Sequence, residues 1–284
     1  MNRILVIGGT GTVGSHVLSQ LSTQGAQVCA LTRHPDASRF PPQIKVVSGD
    51  LILPETLDSC LEGIDTVFLV WTAPATAVAP ALQRIAKHAR RIVFLSAPHK
   101  TPHPFFQQPS PARTLAAQIE RLIENSALQW TFLRPGMFAA NVLRWWAPQI
   151  RAGDLVRWPH LSAPTAPIDE RDIARVAVHA LSNDAHTVAD YVLTGPQSLT
   201  QFEQLAIIGG VIGRSLRIEE ISPDEGRQEL LKFMPGAVVN MLLNAWAAAI
   251  GQPAFVTSTV ADITGVPARP FADWVTDHAA EFRA

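Results

Sequence analysis

Gly8-Gly9-Thr10-Gly11-Thr12-Val13-Gly14 is the stretch whose reading decides the fold. It is preceded by Arg3-Ile4-Leu5-Val6-Ile7, a continuous apolar run of the kind that forms a parallel strand covered on both faces. After it, Val13, Val17, Leu18 and Leu21 recur at helical spacing, and Gly25 closes that helix. Three glycines at 8, 11 and 14 are weak evidence alone, but between a strand and a helix they read as a dinucleotide fingerprint. Gly8 permits the tight turn, Gly11 lets the backbone approach a pyrophosphate, and Gly14 lets the helix pack close to the strand. The N–H groups at the head of the helix then face the phosphates.

Outward from that turn, apolar runs alternate with helical patterns. Strands are expected at 28–31, 44–47, 66–70, 92–95 and 130–133, with helices between them and a five-proline loop over 97–111. Short connections in this β-α order argue for a doubly wound parallel α/β sheet. Residues 1–150 are read as the nucleotide-binding domain and 151–284 as a smaller, mostly helical substrate or capping lobe, part of which returns to the first domain. In that lobe the sequence suggests helices near 169–181, 200–212 and 238–250, a strand-like run at 191–194, and a last helix from Phe271.

Composition narrows the partners. Hydrophobic residues make up 47% and charged residues 17%, a balance for a folded core and against disorder. A net charge of −1 offers no footprint for nucleic acid and no basic face for a membrane, so the expected partner is a small molecule, with a homodimer left open. The uncharged apolar stretch at 236–250 is too short to span a bilayer. Cys29 and Cys60 lie in apolar runs without metal-type spacing, and no metal site is expected. A cytoplasmic location fits this cysteine usage and an N-terminus unlike a signal peptide.

Cofactor choice is written after the second strand. An acidic residue there would hold the ribose hydroxyls of NAD, but the strand ends Leu31-Thr32-Arg33-His34, with no carboxylate before Asp36. Arg33 is placed to pair with a 2′-phosphate through its planar fork, so the cofactor is expected to be NADP(H). Asp50, in Ser48-Gly49-Asp50-Leu51, is either an adenine-side contact or the cap of a turn.

The elements GGTGTVG, LTRHP, SGDL, LSA and TFLRPGMFAAN, with the later PIDERDIA and ADYVLTGPQSLT, resemble the NmrA-like branch of the atypical short-chain dehydrogenases/reductases. The resemblance runs from residue 1 to about 280. It implies that Thr10, Gly11, Thr12 and Val13 contact the pyrophosphate and Arg33 the 2′-phosphate. It also implies that Trp71 and Thr72 flank the adenosine, and that Pro135 and Gly136 lie beside the nicotinamide. By the same layout Phe138, Asn141, Trp145 and Trp146 line a substrate pocket, although aromatics at that spacing equally suit a core.

The departure from the wider superfamily concerns the proton. Most short-chain reductases carry a Tyr-x-x-x-Lys pair; matching the helix around Glu120 puts Ala112 and Ala116 at those positions. The single tyrosine, Tyr191, is followed four residues on by Gly195 and is expected to be structural. Ser96, matching the serine that ends the fifth strand in related enzymes, is a candidate to orient a carbonyl or imine, or else satisfies a strand-end amide. His99 is a candidate proton donor; with His103 it flanks a proline segment that spoils metal-ligand geometry. Asp169 and Asp172 are read as helix caps. The expected function is an NADPH-dependent reductase of a small, largely apolar electrophile: an imine or iminium, a quinone or an enone. The rivals are an NADP(H)-sensing regulator that binds a partner protein, and a non-redox isomerase or cyclase.

Overall fold

The computed structural model describes residues 3–36 and 40–283. Six strands, β1 (Arg3–Ile7), β2 (Gln27–Thr32), β3 (Lys45–Ser48), β4 (Thr66–Leu69), β5 (Arg91–Leu95) and β6 (Gln129–Pro135), pair in parallel in the order β3-β2-β1-β4-β5-β6. A seventh strand, Ala189–Leu193, closes the β6 edge. The sheet is the doubly wound parallel one expected, and its strand order reverses between β1 and β4. That reversal is the switch point where such sheets bind ligands. The central strands are apolar throughout because helices cover both faces: β4 is buried at every position, and β1 at all but Arg3.

Contacts group the chain into two units that interleave along the sequence. The first holds residues 1–97, 114–135 and 170–192; the second holds 98–113, 136–169 and 193–284. In the first unit, helix α1 (Thr12–Thr23) buries Val13, Val17, Leu18 and Leu21. The helix Glu170–Ser182 packs beside it, and the Gln20 side chain donates to the Arg171 carbonyl at 3.1 Å.

Among its described residues the second unit contains no large sheet. It has two two-stranded pairs: Leu155–Trp158 runs parallel to Arg217–Glu220, and Pro164–Thr165 antiparallel to Leu199–Thr200. Its core is built round four tryptophans, Trp145, Trp146, Trp158 and Trp246, with ring centroids 5.5 to 6.1 Å apart along their contacts. The Trp158 indole N–H donates to Gln201 Oε1 at 2.6 Å, which satisfies its one polar atom in the interior. Gly236–Ala249, the apolar segment noted in the sequence, is a helix that buries Val239, Leu242, Leu243 and Trp246 in this core.

The tightest constraint lies at the first turn. A Cβ on Gly14 would stand 2.2 Å from the Gly8 carbonyl oxygen, so no side chain fits between α1 and the end of β1. Gly8 itself adopts φ of 90°, and a Cβ there would meet Val70 at 2.7 Å. Gly14→Ala should therefore cost about 1–3 kcal/mol, the usual range for overpacking, read as a lowered urea midpoint with unchanged slope. A wild-type midpoint would mean the turn relaxes without penalty.

Candidate active site

The first unit carries a cleft of about 290 Å³ formed by the ends of β1, β2 and β4 and the turns that follow them. Gly8, Thr10, Gly11, Arg33, Asp50 and Thr72, expected from sequence at a nucleotide site, all line it. His34 and Ile52 line it too, and the sequence reading did not single them out for this role. Thr12 is exposed at the start of α1, whereas Val13 and Gly14 turn inward and are buried. Trp71 is half-buried against the core of the first unit, and its indole N–H donates to the Ala73 carbonyl at 2.6 Å. Asp50 caps its own turn: Oδ1 accepts from the Ile52 amide at 3.0 Å while the residue also lines the cleft.

Two features of this cleft suit a phosphate. Gly11 is the N-cap of α1, no side chain caps the helix, and no acidic residue stands in its first turn. The amides at its head keep their attraction for an anion. Gly8 and Gly14 are demanded by the protein itself; Gly11 is not. Its φ of −85° is open to any residue, and a Cβ there would meet only the Gly8 carbonyl, at 3.3 Å. What a side chain at 11 would fill is the cleft. Arg33 lies exposed on the same cleft immediately after β2.

Beyond the end of β5 the structure corrects the expectation for Ser96. Its hydroxyl donates to Glu120 Oε1 at 2.6 Å, so its proton is already committed. Glu120 is 1% exposed and takes a two-pronged bond from Arg134, Nε to Oε1 at 2.9 Å and a terminal nitrogen to Oε2 at 2.7 Å. The other terminal nitrogen of Arg134 pairs with Asp190 at 2.9 Å. Burial alone would lower the Arg134 pKa, but Glu120 and Asp190 more than offset it and leave it raised. The sequence carried a signal for this network. Glu120 shares the buried face of its helix with Ala116, Ile119 and Ile123, an apolar register where an acid needs a partner.

The imidazoles and aromatics of the second unit separate by role. His103 is buried; its Nδ1 accepts from the Phe105 amide at 3.2 Å and its Nε2 faces the Pro253 carbonyl at 3.1 Å. Only the neutral ring with its proton on Nε2 serves both bonds. His99 is half-buried on the proline segment. Trp145 and Trp146, expected along a substrate pocket, are 6% and 0% exposed and belong to the tryptophan core, because four large rings exclude water best when packed together. Phe138 bridges to Ile168, and the Asn141 amide donates to the Met137 sulfur at 2.9 Å. A different set, including Phe105, Phe106, Met137 and Phe255, walls a small pocket in this unit. Arg113 holds the Phe105–Phe106 turn by donating to the Phe106 and Gln108 carbonyls, both at 2.9 Å, and burial lowers its pKa.

In the first unit the Tyr191 hydroxyl meets His186 Nδ1 at 2.9 Å. Pro135 is buried at the end of β6. Among the described residues no group of three His, Cys, Asp or Glu side chains is placed to hold a metal, and no helix is long and apolar enough to cross a membrane.

Comparison with known proteins agrees with this geometry. Residues 8–184 match the model of the NAD(P)H-binding family. The chain is 35% identical to a (4-alkanoyl-5-oxo-2,5-dihydrofuran-3-yl)methyl phosphate reductase of Streptomyces griseus, over 98% of this chain and 99% of that one. It is 33% identical to an NAD(P)H azoreductase of Xenophilus azovorans, over 99% of each. Among solved structures, an NADPH-dependent quinone oxidoreductase of Escherichia coli in complex with NADPH superposes with a TM-score of 0.82 at 20% identity, covering 97% of this chain and 99% of that one.

The buried ion pair makes a stability prediction. Arg134→Met leaves Glu120 without its two-pronged partner in the interior and should cost about 3–5 kcal/mol, whereas the double substitution with Glu120→Leu should recover most of that loss. Chemical denaturation of the single and the double variant is the measurement. Equal losses for the single and double variants would show that packing, not the unpaired charge, sets the cost.

Proposed function

Because the chain belongs to the NAD(P)H-binding family of oxidoreductases, in its NmrA-like atypical short-chain dehydrogenase/reductase branch, we propose that it is an NADPH-dependent reductase of a small, largely apolar electrophile. The observation that carries the cofactor assignment is the pairing, on one cleft, of the Gly11 turn with Arg33 and no carboxylate directly after β2. In this reading the amides at the head of α1 take the pyrophosphate, and Arg33 takes the 2′-phosphate through its fork. Thr72 and Asp50 border the adenosine, with Trp71 behind them; Pro135 serves the nicotinamide end. NADPH, when bound, supplies the hydride.

The relatives at 33–35% identity are named reductases, which supports turnover over a purely sensing role. The helix Gly236–Ala249 points the same way, since it buries its apolar face within its own unit. A flat apolar surface there would have favoured a protein-binding regulator.

The usual proton relay has no counterpart. Ala112 and Ala116 stand where tyrosine and lysine would, and Ser96 donates to Glu120. His103 is committed at both nitrogens, and in this reading His99 relays a proton from solvent. Electrophiles that accept hydride without a strong acid suit such a site.

Arg33→Ala should weaken NADPH about ten- to a hundredfold and leave NADH nearly unchanged, the difference one charge-assisted contact makes. Titration calorimetry with both cofactors checks this; equal losses for the two would remove Arg33 from the 2′-phosphate. Gly11→Val should abolish binding of both cofactors while the thermal transition stays cooperative. Retained affinity would place the nucleotide elsewhere. Tyr191→Phe should leave turnover within a few-fold, since it deletes one hydroxyl contact worth about 1 kcal/mol. A large loss of turnover in that variant would make Tyr191 the proton donor and overturn the assignment to His99.

A further inference from the structure

The first unit carries a second opening, at the opposite end of its strands from the cleft at the switch point. It is a groove of about 390 Å³ against the starts of β1, β2 and β3 and the short helix Leu57–Leu61. The groove and the cleft share no lining residue. Val28, Cys29, Cys60 and Ile64 are between 3% and 7% exposed and give the groove an apolar wall. Burial raises the pKa of both thiols, so they stay protonated and serve as apolar surface. The Cys60 thiol is also committed, donating to the Ser48 carbonyl at 3.0 Å.

Charge at the rim is unbalanced. Arg3 opens β1 and Lys45 opens β3; both are exposed on the groove, and neither forms an ion pair among the described residues. Both act on the Cys29 thiol against the larger effect of burial, which puts two positive charges near one patch of the wall. The Arg3 backbone N–H is tied to Asp65 Oδ2 at 2.9 Å, a bond that leaves the guanidinium unused. Gly63 turns beside that guanidinium with φ of 70°, and a Cβ there would stand 2.6 Å from one of its nitrogens. Glu62 is the one acidic residue on the lining, so two cations face a single carboxylate. Exposed Gln43 adds an amide to the same rim. A concave apolar wall with a few polar groups at its edge is the form small-molecule sites take.

We propose that this groove is a second ligand site, separate from the nucleotide cleft, for a small carboxylate with an apolar body. The body covers the wall at Val28, Cys29 and Ile64, removing apolar surface from water. The carboxylate meets the cations of the rim, Arg3 and Lys45, which have no acidic partner to give up in exchange. A neutral analogue gains the wall but not the rim. A cation finds only Glu62 and is repelled by two like charges, and the second charge of a dianion adds repulsion from Glu62. The site requires neither bound NADPH nor turnover, so it stands or falls apart from the reductase reading.

The test is calorimetry on the full chain with three probes of one size: naphthoate, its neutral methyl ester, and naphthylmethylammonium. Naphthoate should bind about fivefold more tightly than either of the others, with the same affinity whether or not NADP⁺ is saturating. Arg3→Gln and Lys45→Gln should each weaken naphthoate about two- to fivefold, the range for a partly exposed charge pair, and leave the ester unchanged. Glu62→Gln, which removes the like charge, should tighten naphthoate about twofold, a gain that a misfolded variant cannot produce. Bound naphthoate should also slow alkylation of Cys29 by N-ethylmaleimide, read by peptide mass spectrometry. Displacement of naphthoate by NADP⁺ would overturn the proposal. So would equal affinity for acid and ester, affinity indifferent to all three substitutions, or no measurable binding of naphthoate.

Discussion

The Gly8 carbonyl sits so close to Gly14 that a single Cβ would fall 2.2 Å from its oxygen, and the first unit is organised round that approach. It draws the head of α1 against the end of β1, at the point where the strand order reverses between β1 and β4. With the helix pinned there, its N-cap Gly11 lines the cleft that also carries Arg33 and Asp50. Gly11 completes the turn for a different reason: nothing in the protein needs a glycine there except the volume of the cleft itself.

A second constraint governs the chemistry. Glu120 and Arg134 are both nearly inaccessible to water and satisfy one another, with Ser96 and Asp190 at the two ends of the chain of bonds. In a low-dielectric interior such a network holds its hydrogens firmly, because any unpaired member would carry the full desolvation cost. Ser96 is therefore oriented inward. A serine at the end of the fifth strand looks in sequence like a group offered to substrate, and here its proton belongs to the scaffold. The proposed reaction therefore suits substrates for which the hydride step needs little acid.

Much of this was legible before any coordinates. The six parallel strands follow from apolar runs bounded by turn residues, and the cleft at the switch point from three glycines and an arginine at fixed offsets. Those signals are local, carried by residues near one another in the chain. What escaped the sequence is non-local. Trp145 and Trp146 carry no mark that separates a pocket wall from a core, and only the company of Trp158 and Trp246 decides it. Arg3, Lys45 and Cys60 come from separate stretches of the chain, and the groove they share appears only when the first unit folds. The short strand pairs of the second unit, two to four residues long, were likewise too brief for alternation to register. Glu120 is the intermediate case, a charge on an apolar helical face whose partner could not be named from spacing.

The central claim is that this chain transfers hydride from bound NADPH to a small, largely apolar electrophile. Single-turnover absorbance, with NADPH-loaded protein mixed anaerobically with a naphthoquinone, tests it most directly. The expected result is loss of the reduced-nicotinamide band in proportion to protein, slowed when the transferred hydrogen of NADPH is deuterium. A stable band in protein that demonstrably holds NADPH would contradict it.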